Sequence, residues 1–309
     1  MNHLFISGFN MRLVCLKFIP ALVIVSLIAL YYSNLSRNKF QFQQNRIMGK
    51  KLNPEKKQMI ALGDCRVMFD VDPSIVSEKS GLNFAFPGNS YSKKYFHLAE
   101  SKLSEKSDIL IGISSESLTM ANGNKAIENY VSEFRSKNIM IRNLNIFLEY
   151  VFPKLSLKDF FFGRLFLGDS TQFNSVEIKE NGTYVYLGDY IDEQRASEHY
   201  RNVFKKNRID FNIIKAMIDF SKDMISKGHR VYFFDTPVHE SVLKAEELSL
   251  GQSHRIIDYL FKSLKETGAC HLAHNNDYKT WDGEHLLSDE AKRFSKLLGE
   301  KIRNQDCEK

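Results

Sequence analysis

Three side chains in this sequence have the types and settings of a nucleophilic site. Cys65 sits in Gly63-Asp64-Cys65, and Asp282 and His285 sit in Trp281-Asp282-Gly283-Glu284-His285. The thiolate is the nucleophilic form of cysteine, and a helix start favours its charge. An imidazole can take or hold the thiol proton, and a carboxylate on the other ring nitrogen orients it. The candidate roles are therefore nucleophile for Cys65, base for His285 and orienting acid for Asp282.

Such a set works only if strands and turns carry it to one place. Met59-Ile60-Ala61-Leu62, then Gly-Asp-Cys-Arg and Val67 to Phe69, predict a buried strand, a sharp turn and a helix start. A second strand, Leu82 to Phe86, ends in Pro87-Gly88-Asn89-Ser90; a third, Asp108 to Ile113, ends at Ser114-Ser115. A fourth, Val231 to Asp235, leads to Thr236-Pro237-Val238-His239. Apolar runs alternating with helical stretches predict a parallel sheet covered on both faces. Ligands bind at the carboxyl ends of such strands, which puts Cys65, Gly88, Ser114 and His239 on one edge, with His285 joining from the loop before the last helix.

The remaining pattern fills in the scaffold. Asp72-Pro73 opens a short helix that Gly81 closes, and Ser90 to Leu103 is helical. Lys125 to Leu167 is largely helical, with a short strand at Ile139 to Ile141 and an aromatic run, Leu157 to Leu167, assigned to the core. Asn181-Gly182 between two β-rich runs predicts a two-residue hairpin inserted at 175–188. Helices follow at Glu193 to Lys205 and at Phe211 to Lys227, the second closed by Gly228. The last, Ser288 to Ile302, is capped by Ser288 with Asp289 and Glu290 in its first turn.

The 309 residues carry a net charge of +6. The lysines are interleaved with acids, and no basic-aromatic module points to nucleic acid. Leu13 to Tyr32 is apolar apart from Lys17 and Ser26, long enough to cross a bilayer, and lacks a small-x-small cleavage pattern. The expected organisation is an anchor over 1–32, a polar tether over 33–57 and one α/β domain over 58–309. Arg37, Lys39 and Arg46 after the span favour a cytoplasmic C-terminal side by local charge, a rule that long domains escape. Four cysteines, Cys15, Cys65, Cys270 and Cys307, show no metal-ligand spacing. Cys270 and Cys307 could pair in an oxidising compartment, whereas a pairing of Cys65 would remove its chemistry.

Taken together, Gly63-Asp64-Cys65, the Asn83 to Gly88 block and Asp282-x-x-His285 resemble the SGNH hydrolase superfamily. With the anchor and Asp72-Pro73, they look like its membrane-anchored members associated with acylation of cell-envelope polysaccharide. The resemblance implies a three-layer flavodoxin-like α/β fold and an extracytoplasmic domain. It implies catalytic Cys65, Asp282 and His285, with oxyanion donors at the backbone of Cys65 and Gly88. Asn89 and Ser114 complete the expected oxyanion and substrate-binding group. It implies O-acyl transfer or ester hydrolysis on an envelope polysaccharide, a membrane acyl-donor protein as partner, and neither cofactor nor metal. The pattern departs in two places: the motif serine is Cys65, and the Gly-x-Asn-Asp block appears as Gly112-Ile113-Ser114-Ser115. A catalytically inactive glycan-binding or scaffold domain is the alternative. Leu167-Gly168-Asp169-Ser170 spells the first motif literally, but it follows a helical pattern and leads into a hairpin, which ranks it below Cys65.

Overall fold

A computed structural model describes residues 19–21, 23–24, 47, 49, 51, 55–77, 79–86, 91–119, 175–206, 208–251 and 254–308. The chain forms two compact units, Met1–Gln43 with Ile139–Asn174 and Gln44–Asn138 with Ser175–Lys309. In the first unit the described residues, 19–21 and 23–24, are helical, with Ile19, Val23 and Ile24 exposed. No helix among the described residues is long and apolar enough to cross a membrane, so the expected N-terminal membrane helix has no support here; most of 1–32 lies outside the described residues. The aromatic run, the strand at 139–141 and Gly168-Asp169-Ser170 also lie outside them.

The second unit is an α/β domain. In chain order it runs β1 (Lys57–Leu62), α1 (Cys65–Asp70), α2 (Pro73–Val76), β2 (Gly81–Asn83), α3 (Lys93–Glu100) and β3 (Leu103–Ile113). A 3-10 turn at Glu116–Leu118 precedes the hairpin β4 (Val176–Ile178) and β5 (Tyr184–Tyr186). Then come α4 (Arg195–Lys206), α5 (Phe211–Ser226), β6 (Arg230–Asp235), α6 (Glu240–Leu250), α7 (His254–Glu266), β7 (Cys270–His271) and α8 (Ser288–Asn304). The main sheet has the order β2-β1-β3-β6-β7, every neighbouring pair parallel. Counted along the sheet strands alone this is 2-1-3-4-5, the flavodoxin-like doubly wound order.

The apolar runs become the buried centre of the sheet. Met59 to Leu62, Ile109 to Ile111, Phe233 and Phe234 are all fully buried, as strands covered on both faces require. The helix α8 packs on α1 and α2, while α5 packs on α3, α7 and β6. Side chains of α4 and α6 build a smaller cluster of Ala196, Tyr200, Val242 and Ala245 with Val238.

Several boundaries differ from the expectations for physical reasons. The second strand stops at Asn83, although Phe84 N–H and Phe86 N–H still donate to Ala61 O (2.8 Å) and Gly63 O (3.1 Å), and both rings pack on Tyr95. Gly81 starts β2; the helix opened by Asp72 ends earlier, at Val76. The last helix has Leu287 at its N-cap with no side-chain cap, so Ser288 is inside the helix. The hairpin closes with Lys179 N–H donating to Thr183 O at 2.8 Å, and Gly182 has φ +87°. That makes a three-residue loop with glycine in the left-handed position, one residue longer than expected. The tether's C-terminal end belongs to the domain: Lys57 opens β1, and buried Lys51 donates to Ala85 O at 2.7 Å over the ring of Phe86. Burial lowers the Lys51 pKa to about 7.

Candidate active site

The turn after β1 is built to expose one side chain. Leu62 ends the strand, and Asp64 caps α1 by accepting from the Arg66 N–H at 3.0 Å. Cys65 is the first helical residue, where a backbone N–H has no intrahelical partner. A Cβ at Gly63 would collide with Val67, so the close turn requires glycine there. Two buried tyrosines fasten the turn to the sheet. The Tyr91 hydroxyl bridges Leu62 O (3.1 Å) and Gly112 O (2.6 Å). That of Tyr95 accepts from Gly63 N–H (3.1 Å) and donates to Phe84 O (2.9 Å). Asn83 adds to this by donating to Val67 O (2.9 Å) and Val71 O (2.8 Å), tying the second block to α1.

The second half of the site comes from the loop before α8. Gly283 has φ +97°, and a Cβ there would meet Glu193 O, so the loop reverses only at glycine. Its backbone is held from three sides: Asp192 N–H to Trp281 O (2.7 Å), Ala196 N–H to Asp282 O (3.0 Å) and His239 N–H to Gly283 O (2.8 Å). Asp282 folds over the turn, with Oδ1 accepting from Glu284 N–H (3.1 Å) and His285 N–H (2.9 Å). Its Oδ2 lies 2.8 Å from His285 Nδ1. Leu286 N–H donates to buried Asp70 at 2.8 Å, locking the loop onto the end of α1.

Cys65 and His285, from opposite ends of the domain, meet here. The Cys65 sulfur, a carboxylate oxygen of Glu284 and a ring nitrogen of His285 lie within 4.8 Å of one another. With Nδ1 on Asp282, Nε2 is the free nitrogen; it is buried and has no hydrogen bond of normal geometry. Burial pushes the Cys65 thiol up to about 11, against the opposing pull of His285. Burial works against charge on His285, yet Glu284, Cys65 and the Asp282 hydrogen bond hold its pKa well above the usual histidine value. Asp282 is held below the usual carboxylate range, its burial outweighed by the bond and charge of His285.

A polar network lies behind the pair. Arg66, buried next to Cys65, forms an ion pair with Glu246 at 2.5 Å and lies 4.8 Å over the Tyr200 ring. The Tyr200 hydroxyl is shared between Glu284 (2.5 Å) and Glu116 (2.9 Å). On the other side stands an aromatic wall. Phe69 lies 4.7 Å from His285, Trp281 stacks on His285 at 5.5 Å, and Tyr186 of the hairpin stacks on Trp281 at 4.3 Å.

Of the expected site residues, Cys65, Asp282 and His285 come together. Ser114, at the end of β3, lies beside the same turn, but its hydroxyl donates to Asp64 Oδ2 and its N–H to Ser117 Oγ (3.2 Å). Gly88 and Asn89 lie outside the described residues. His239 caps α6, its Nδ1 accepting from Ser241 N–H at 3.2 Å. Glu284, Arg66 and Tyr200 were not singled out from the sequence. Glu284 stands inside the Asp-x-x-His motif and Arg66 follows the cysteine, so both were within sight of a signal; Tyr200 carries none.

Neither a protein-family model nor a curated protein matches the chain. A solved structure from Streptococcus pneumoniae, described as a "putative platelet activating factor", is similar at 10% identity and a TM-score of 0.37. The similarity covers 92% of this chain and 98% of that one, and at this level it decides neither fold nor activity.

Proposed function

We propose that this chain is an SGNH-like acyl-transfer enzyme working through an acyl-cysteine on an extracytoplasmic polysaccharide. The observation that carries the reading is the orientation of His285, fixed at Nδ1 by Asp282 with Nε2 left without a bond of normal geometry, and a ring nitrogen within 4.8 Å of the Cys65 sulfur. In the first half-reaction Nε2 takes the thiol proton as the sulfur attacks an acyl carbonyl. The backbone N–H of Cys65 faces the developing oxyanion. Collapse breaks the bond to the leaving oxygen, which takes the proton from His285, and leaves a thioester. In the second, His285 deprotonates an acceptor hydroxyl, the new ester forms, and the thiolate leaves and regains its proton. An acceptor sugar gives O-acyl transfer and water gives hydrolysis. The Cys270–Cys307 disulfide supports an oxidising compartment for the domain; membrane attachment facing out and a membrane acyl-donor protein as partner belong to this reading on the sequence resemblance alone.

The experiment is intact-mass analysis of the full chain exposed to an activated acetyl ester. The expected result is a single acetyl adduct on Cys65, absent in Cys65→Ala and formed about 10²- to 10⁴-fold more slowly in His285→Ala. An adduct elsewhere, or one indifferent to His285, sinks the reading. A second reading, a binding domain with a disarmed site, is favoured by the raised thiol pKa and by the engagement of Ser114 with Asp64. It predicts no adduct on the wild type and a gained one on Cys65→Ser.

A further inference from the structure

The donor set at this site also fits a metal ion, a role the acyl-transfer reading leaves unused. Cys65 offers a sulfur, His285 a ring nitrogen and Glu284 a carboxylate oxygen, all within 4.8 Å of one another, and His285 Nε2 is buried without a hydrogen bond of normal geometry. Around tetrahedral zinc such donors stand about 3.5 Å apart, given bond lengths of about 2.0–2.3 Å. Closing that difference requires side-chain rotation of Cys65 and Glu284, neither of which is fully buried. The outer contacts are those of a metal site as well. Asp282 holds Nδ1 of His285 at 2.8 Å, and Tyr200 holds one oxygen of Glu284 at 2.5 Å while the other lies 3.9 Å from His285 Nδ1. A carboxylate behind a ligating histidine orients it and raises its donor strength. Four carboxylates, Glu116, Glu246, Glu284 and Asp282, stand around the site against two cationic groups, the Arg66 guanidinium and the His285 imidazole.

We propose that Cys65, Glu284 and His285 form a three-donor site for zinc, with the fourth position left to water. The mixed sulfur, nitrogen and oxygen set suits a borderline-soft ion with no redox chemistry. On binding, the Cys65 S–H bond breaks, its proton leaves to solvent and the sulfur lone pair forms the Zn–S bond; any proton on Nε2 leaves in the same way. No oxidation state changes. Zinc in this position occupies the nucleophile and the base together, so it blocks acyl transfer. Binding itself does not depend on the acyl-transfer reading.

The test titrates chelator-treated full-length chain with ZnCl2 by calorimetry and with CoCl2 by absorption. The expected result is one equivalent of zinc, bound at least about tenfold more weakly by Cys65→Ser and by Glu284→Gln and unchanged in Cys15→Ser. Cobalt is expected to give a thiolate-to-metal charge-transfer band that Cys65→Ser lacks. Absence of zinc binding by the wild type, equal binding by both variants, or a cobalt spectrum without the thiolate band overturns the proposal. If Glu284→Gln does not fold, the cobalt spectra of wild type and Cys65→Ser decide it. Adduct formation by the metal-free protein reads the acyl chemistry separately.

Discussion

Burial holds the proton on the Cys65 thiol, while Glu284 and Asp282 hold a second proton on the neighbouring imidazole. On the acyl-transfer reading the base is therefore blocked until pH rises through the raised His285 pKa. The expected pH profile of kcat/KM with an activated acetyl ester climbs on the alkaline side of neutrality. Glu284→Gln removes the charge that does most to hold the imidazolium, so the rising limb moves to lower pH in that variant; an unmoved limb counts against this account. That Cys65, Asp282 and His285 come together was legible, the last two from their three-residue spacing and Cys65 from its place at the end of the first strand. Arg66 and Tyr200 were not, because their partners are brought in by the fold: Glu246 lies 180 residues from Arg66, and Glu284 lies 84 from Tyr200.

The hairpin is held to the rest of the domain through Asp72. This N-cap of α2 accepts from Lys179 Nζ (2.6 Å) and Asn181 Nδ2 (2.7 Å), and Asn83 N–H donates to Asn181 O at 2.8 Å. The latch places Tyr184 and Tyr186 against Phe69 and Trp281. Asp72→Ala is expected to lose roughly 1–3 kcal/mol, read by denaturant unfolding, and to lower turnover by loosening the wall beside His285. Although burial opposes it, the bonds from Lys179 and Ser74 depress the Asp72 pKa below its unfolded value. Its contribution is thus present above the unfolded carboxylate pKa and is lost as pH falls through the lower, folded one; Asp72→Asn flattens that part of the acid-stability curve. The strands β1, β3 and β6 were legible as continuous apolar runs. The two-residue β7 was not, since its length falls below any periodic signal and only pairing with Tyr232 and Phe233 defines it.

Across the whole domain, the edge strand β7 is fastened to the chain's last turn. Cys270 bonds Cys307, and Glu308 N–H donates to His271 O at 3.0 Å. By loop-closure entropy a link spanning 37 residues stabilises by about 4 kcal/mol. Cys307→Ser, or reduction of the wild type, is expected to lower the Tm by on the order of ten degrees. An unchanged Tm would show that the link adds nothing to the packing of α8. The sequence offered the pair as a possibility; only the meeting of β7 with the end of α8 selects it. The separations also bear on how the chain reaches this state. Cys65 lies about 200 residues or more before either partner, and closing so long a loop costs about 1.5 kcal/mol more than the native one. Among the domain's three thiols, chain statistics alone thus favour the harmless pairing roughly tenfold during oxidative folding. The free Cys65 sulfur is spared by its remoteness along the chain while the polypeptide is still unfolded and no packing yet shelters it.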